Sequence, residues 1–392
     1  MSVAGRSRIL AAQLVARSAG LLLLAALLAP WLAPGSGRAG EPAAIVFSPE
    51  VVARIRARAL AGDPTLMPAL NALIRDADAA MVAPAQAVVL KPGPPPGGDL
   101  HDYWSLDPDA AQGGSGADPC SATYDRMRLR SMARDSLTLA QAWHLTGNAD
   151  YAGKGTALLW AWCCDSLTRT RPAMTHAHAR PGASVGSPSG SPAGIPTGIP
   201  TGIMETRDLI DAAEAACLLA SSPAWSVPVD RAVRGWFADY LHWLRSSEFG
   251  RQAAADQGCL GLWRDAQVAA FALFVGDPAL TRSTVEGSGQ RMAAMTMPGR
   301  PAPSRFALRA MLTLAAVGER AGVNIWSRDS LRQAMDRART DSPCAFAPDC
   351  ADRLAPPDLA PLLLRAAMAF QEGRYGELVE ELPLDSRARL FH

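Results

Sequence analysis

The stretch DQGCLGLWRDAQ, residues 256–267, carries residue types that could do chemistry at the head of an apolar helix. Gly258 and Gly261 punctuate that head, where backbone N–H groups have no partner inside the helix and point outward. Between Asp256 and Asp265 stand a thiol, Cys259, and a guanidinium, Arg264, with no His, Tyr or Asn. The planar fork of Arg264 suits a carboxylate ligand; a solvent-facing charge in a first helical turn is the plainer reading. Cys259 as a nucleophile would need a neighbouring base, and no local motif supplies one.

Other candidates lie apart from it. His176 and His178 in MTHAHAR form an HxH pair able to ligate a metal or act as a base, although a pair without a third ligand is usually solvated. His101, Asp102, Tyr103 and Trp104 follow Lys91 in a loop dense in polar and aromatic side chains, and packing of that loop onto the body of the protein is the alternative to binding. Glu205, Arg207 and Asp208 in METRDL either line a cleft or are ordinary helix electrostatics. For hydrolysis, the carboxylates to consider are Asp102, Glu205 and Asp265.

Composition limits the partners. Of 392 residues, 49% are apolar and 19% charged, with a formal net charge of +1. That balance excludes a strongly basic nucleic-acid surface, so any acidic ligand must be met by local Arg and Lys. Arg6, Arg8 and Arg17, then an apolar run from Leu21 to Leu32, then small residues around Gly37 to Gly40, read as a secretory leader over residues 1–40. Pro30 and the shortness of the run argue against a stable membrane anchor. Export permits disulfides: Cys344 and Cys350 bracket a short turn and are the first choice for a bridge, while Cys163, Cys164 and Cys217 read as buried. No CxxC pair or His/Cys cluster at zinc spacing is present, so neither metal nor another cofactor is expected.

The elements that must position these groups are helical. Apolar residues recur at three- and four-residue spacing over Arg126–Leu145, Tyr151–Trp162, Thr206–Ala220, Pro228–Arg245, Trp263–Phe274, Ala279–Met295, Phe306–Ala321, Ser327–Ala338 and Leu359–Phe370, with no convincing strand pattern. Ser48-Pro49 and Asp63-Pro64 each read as a helix start. In LTGNADY and FVGDPAL a glycine ends one helix and Asn148 or Asp277 caps the next, which makes tight helical hairpins. Repeated hairpins predict an all-α fold, a curved array or toroid in which paired helices surround a cleft, formed by a single domain over 41–392. Residues 83–121 and 181–203 interrupt it as loops that rim the binding face. The recurring Trp225, Trp236, Trp243 and Trp326 are expected in the core.

The chain resembles the alginate lyase family of helical toroid polysaccharide lyases. The likeness runs through Lys91-Pro92, HDYWSL (101–106), LTGNADYAGKGTALLWAW (145–162), GIMETRDL (202–209), WFADYLHWLRSSEFG (236–250), LWRDAQVAAFALFVGD (262–277) and AGVNIW (321–326). It implies an incomplete α/α toroid and a monomeric periplasmic protein that meets an acidic polysaccharide, alginate or another polyuronate, with Lys91, His101, Asp102, Tyr103, Trp104, Arg207, Trp263 and Arg264 as binding residues. The family's reaction is β-elimination: the uronate carboxylate is neutralised, a base takes the C5 proton, and an acid protonates the leaving glycosidic oxygen.

Against the family's Asn-Asn-His-Gly-x-Trp-Tyr this chain has Gly258-Cys259-Leu260-Gly261-Leu262-Trp263-Arg264, so Asn falls on Cys259 and His on Leu260. The family's Tyr falls near Pro303, and Arg300, less well Arg305, stands where its Arg is expected. The resemblance therefore implies a lyase scaffold whose proton-transfer groups are missing. An active lyase with a base relocated to His101, Tyr103, His176 or His178, and a glycoside hydrolase on a related toroid, are the alternatives.

Overall fold

In the computed structural model, residues 44–107, 118, 120–179, 198–297, 299–300, 303–326, 329–338 and 360–371 are described. The leader over 1–40, the Cys344–Cys350 pair, and parts of both loops lie outside these residues.

Local chemistry sets most helix ends. Helix α1 (Pro49–Leu60) starts where Ser48 accepts the Val51 N–H, with proline in the first turn. Helix α2 (Met67–Val82) starts later than Asp63-Pro64 suggests, because Asp63 bonds Thr65 and Arg58 and holds a turn ahead of the helix. Helix α3 (Arg126–Thr146) ends on Gly147 at φ 74°, and α4 (Ala149–Cys163) is capped by Asn148. The same device joins α8 (Cys259–Val275), ended by Gly276 at φ 91°, to α9 (Pro278–Thr296), capped by Asp277. Between them lie α5 (Leu209–Leu219), α6 (Val227–Ser246) and α7 (Glu248–Ala255); after them come α10 (Arg305–Arg320), α11 (Asp329–Ala338) and α12 (Ala360–Phe370). The helix expected from Thr206 begins instead as a 3₁₀ stretch, Pro200–Asp208, and turns α-helical only at Leu209.

The helices form two rows. Helix α3 packs on α5, α5 on α8 and α8 on α10, which makes an inner row. Outside it α4 packs on α3 and α5, α6 on α4 and α8, α9 on α8 and α10, and α11 on α9 and α10. The sequence texture follows that placement. Inner α8 is buried on every side, with Leu262, Trp263, Val268 and Phe271 each within 1% of fully enclosed. Outer α6 buries a single stripe, Val233, Trp236, Phe237, Tyr240, Leu241 and Leu244. Where they meet, the Phe237 ring lies 5.2 Å from Phe271 and 5.1 Å from Phe274; each such ring contributes about 1.5–3 kcal/mol through burial. Trp225, Trp236 and Trp326 are buried and Trp243 packs partly buried against the same core.

Two short strands, which the sequence does not announce, add a brace at one end. Strand β1 (Trp104–Leu106) pairs in parallel with β2 (His176–Ala179), Trp104 against His176 and Leu106 against Ala179. Among the described cysteines, Cys163, Cys164, Cys217 and Cys259 form no disulfide, whereas Cys120 is disulfide-bonded. No single described helix is long and apolar enough to cross a membrane. The bent pair Glu248–Ala255 and Cys259–Val275 passes on length and composition, and its second member is the buried inner helix.

Candidate active site at the head of a buried helix

The head of α8 is built by Asp256. The cap residue itself, Gly258, has no side chain to offer, and Asp256 Oδ1 accepts the N–H groups of Gly258 at 2.8 Å and Gly261 at 3.0 Å. Arg291 of α9 reaches under the turn, its Nε donating to Asp256 O and its Nη2 to Ala254 O, both at 2.8 Å, while Nη1 pairs with Asp265. Burial pushes the Asp265 carboxyl upward against the opposing pull of Arg291 and Arg264. The approach leaves no room at Gly261, where a Cβ would stand 2.1 Å from Asp256 O and 2.5 Å from Arg291 Nε. Gly261→Ala is accordingly expected to destabilise the protein by about 1–3 kcal/mol through overpacking, measurable as a lower urea midpoint; an unchanged midpoint would mean the turn yields freely.

Opposite this turn lies the head of α10. Cys259, the first residue of α8, is partly exposed, and its Sγ lies 3.9 Å from Ser304 Oγ. Ser304 caps α10 by accepting the Ala307 N–H at 3.1 Å, and Pro303 before it is buried. Leu260 is partly buried beside Cys259. Behind them the Trp263 and Phe306 rings meet at 5.1 Å. Each ring carries a guanidinium: Arg309 lies 5.7 Å from the Trp263 centroid and Arg207 lies 5.1 Å from that of Phe306, geometry that holds a cation against the ring face. Arg264 pairs with Asp265 at 3.1 Å. The 3₁₀ stretch bearing Arg207 is tied to α8 through Thr206, whose hydroxyl bonds Tyr240 at 2.6 Å and Gln267 at 2.8 Å, while Gln267 Nε2 donates to Ile203 O.

The other expected binding residues separate into framework and rim. Lys91 is internal: its Nζ donates to the carbonyls of Val88, Leu100 and Asp102 at 2.8 Å each and pairs with Asp125 at 2.9 Å, with both side chains fully enclosed. Burial lowers the Lys91 pKa and raises that of Asp125 to about 6, and the attraction between the two opposes both shifts. Lys91 therefore fixes its loop, and a sugar cannot reach it. Tyr103 is also fully buried, its hydroxyl donating to Glu205 Oε2 at 3.0 Å. Asp102 is buried, pairs with Arg171 and accepts the Asp99 N–H. His101 bonds Arg169 O at 2.7 Å, and Trp104 stands partly exposed, edge-on to Tyr124 at 5.1 Å. Arg300 is exposed, and its carbonyl accepts a bond from Arg337; the Arg305 side chain lies outside the described residues.

Glu205 and the HxH pair sit in the strand brace. Glu205 accepts from Ser105, Tyr103 and Arg126, and His178 Nε2 lies 3.2 Å from its Oε1. Burial alone would raise the Glu205 pKa, but Arg126 and His178 outweigh it and hold the carboxyl far below the usual range. His178 is buried at φ 54°, a left-handed conformation rare for a side-chain-bearing residue. Its Nδ1 bonds Thr201 at 2.9 Å, so both ring nitrogens are engaged. His176, also buried, approaches Gly98 beside Asp102.

Thus Arg207, Arg264, Cys259 and Leu260 come together at the head of α8, while Trp263, expected as a binding residue, is enclosed and belongs with Lys91, Asp102 and Tyr103 to the scaffold. Phe306 and Arg309 join the first group without having been singled out in the sequence. The signal was present: three residues apart, just after the capping Ser304, they share one face of α10.

Comparison with known proteins places this architecture. The alginate lyase family model matches residues 90–340. The chain belongs to the alginate lyase family. Among solved structures it is similar to an alginate lyase from Bacteroides ovatus, with a TM-score of 0.74 and 21% identity over 89% of this chain and 98% of that one. It is also similar to a variant of alginate lyase A1-III complexed with a tetrasaccharide, with a TM-score of 0.52 and 14% identity over 90% of this chain and 96% of that one. No curated protein sequence is significantly similar. The two rows of helices are thus the α/α toroid of the alginate lyases.

Proposed function

We propose that this alginate lyase family member binds a polyuronate beside the heads of α8 and α10, and that its β-elimination chemistry is strongly impaired. Export to the periplasm, with removal of residues 1–40, belongs to the same reading. The observation that carries it is the facing pair at the two helix heads. Cys259 and Leu260 meet Ser304 behind Pro303, where elimination needs an imidazole and a phenol to pass the C5 proton and protonate the leaving oxygen. Leucine carries no proton. Cations able to neutralise a uronate carboxylate stand nearby: Arg207 and Arg309 lie on the Phe306 and Trp263 rings, and Arg264 stands in the first turns of α8.

Two of the groups named for a relocated base lend it no support: His178 has both ring nitrogens engaged inside the brace, and Tyr103 is fully buried on Glu205. The carboxylates considered for hydrolysis, Asp102, Glu205 and Asp265, are each buried and paired with arginine.

Titration with alginate oligomers tests the binding half. Arg207→Ala and Arg309→Ala are each expected to weaken affinity about tenfold or more, the worth of a charged hydrogen bond, without lowering the melting temperature enough to unfold the protein. If the natural chain binds no oligomer, or both variants bind as it does, the binding reading fails.

A further inference from the structure

A second buried carboxylate lies away from the site. Glu214, in the middle of α5, is 2% exposed. Its Oε2 accepts the backbone N–H groups of Ile45 at 2.9 Å and Val46 at 2.7 Å, and the Phe47 N–H also bonds this carboxylate. Successive N–H groups converging on one anion form the concavity that chains commonly use to hold phosphate or carboxylate ligands. Here the ligand comes from the protein's own core. The carbonyls of the same short segment are held from elsewhere: Arg320 of α10 donates to Ala44 O at 3.0 Å, and Arg365 of α12 donates to Val46 O at 2.5 Å. Ile45 is 1% exposed, and Ser48 then caps α1.

Residues 44–48 thus touch α5, α10 and α12 and lead directly into α1, which packs on α3. Beside them lies a cavity of about 390 Å³ lined by Phe47, Ser48, Glu50, Arg320, Leu362 and Arg365. The docking combines one buried acid and two arginines, all on the backbone of this segment, with the enclosed Ile45 side chain.

We propose that residues 44–48 are a detachable clasp: an internal peptide ligand whose receptor is the Glu214 carboxylate, joining the start of the domain to its last helices and able to release without unfolding the helical rows. The geometry also gives the clasp a proton dependence. Burial pushes the Glu214 carboxyl up to about 7, with the Val46, Ile45 and Phe47 N–H groups and Arg320 opposing it. The charged groups at this end are Arg320 and Glu319 on α10, Arg365 on α12 and Glu50 on α1. Cys217 lies on Glu214's own helix, and Asp230 and Arg234 of α6 act on it. Glu214 Oε1 has no hydrogen-bond partner, so a proton there displaces no donor. When residues 44–48 leave, the Glu214 carboxyl is uncovered to water and its value falls toward the ordinary one. The docked state therefore holds a proton that the released state lacks at pH between the ordinary value and about 7. Docking is strongest at acid pH, weakens as pH rises through about 7 and is flat above it.

Hydrogen exchange of the full chain, corrected for intrinsic rates, reads the clasp directly at the Ile45–Phe47 amides. Glu214→Ala is expected to lower their protection about tenfold or more while α3 and α8 remain protected. Glu214→Gln keeps an acceptor and loses the ionisation, so its protection is expected to stay level from pH 5 to 8.5 where the natural chain loses protection. Equal protection of these amides in the natural chain and Glu214→Ala would overturn the clasp. So would loss of protection throughout α3 and α8 in both variants, since Glu214 would then be part of the global core. A natural chain as flat with pH as Glu214→Gln would remove the proton dependence.

Discussion

Restoring an imidazole and an amide at the head of α8, by Cys259→Asn and Leu260→His in one chain, is expected to raise release of 4,5-unsaturated uronate from polymannuronate by about 10²-fold or more, the usual contribution of one positioned general base. The positions are suited to it. Both residues lie in the first turn of a helix whose start is pinned by Asp256 and Arg291, so new side chains there inherit a fixed direction. Arg207 and Arg309 stand on the adjacent rings to meet the carboxylate whose neutralisation makes the C5 proton acidic. The gain is expected to fall short of a full lyase, because Pro303 still supplies no phenol. The absorbance of the unsaturated product measures it, with oligomer binding checked alongside. A natural chain that turns over robustly would sink the impairment outright. A doubly substituted chain that binds oligomers and gains nothing would show that the reacting bond lies elsewhere. Cys259→Ala in the natural background separates the remaining case, since any residual turnover that depends on the thiol disappears with it.

The second large effect is structural. Glu205→Ala is expected to destabilise the protein by about 3–5 kcal/mol, because it breaks a buried ion pair with the enclosed Arg126 guanidinium. The brace amplifies the loss: Tyr103, Ser105 and His178 all turn their polar atoms to the same carboxylate. Urea denaturation at neutral pH measures it, and a change below about 1 kcal/mol would show the network to be dispensable. The sign of the pH dependence follows from the depressed carboxyl. Glu205 contributes its stabilisation above the ordinary value of 4.5 and loses it as pH falls from there toward its folded value. The natural chain should therefore lose stability on acidification below about 4.5, and Glu205→Ala should lose less over the same range.

The hairpins were legible because their ends are local events. Gly147 followed by Asn148, and Gly276 followed by Asp277, mark a stop and a start within two residues. Helix α7 escaped notice because it is eight residues long, EFGRQAAA, with a glycine inside. The strands escaped because β1 is three residues long and β2 four, and HAHA has none of the β-branched or aromatic residues that mark a strand. In the site, chemistry was readable where partners are close in sequence and opaque where they are not. A lysine among prolines looks solvated, and only the distant Asp125 makes Lys91 an internal brace. His178 looked available as a base because neither Glu205 nor Thr201 stands near it in the chain.

Because α8 is buried along most of its length from Leu262 onward, its rigidity owes little to the two residues at its tip. Cys259 and Leu260 are only partly covered, and the turn beneath them is held by Asp256, Gly261 and Arg291. Reactivity and architecture are thereby separable: a substitution at the tip can change what the helix head does while the packed helices beneath it stay the same.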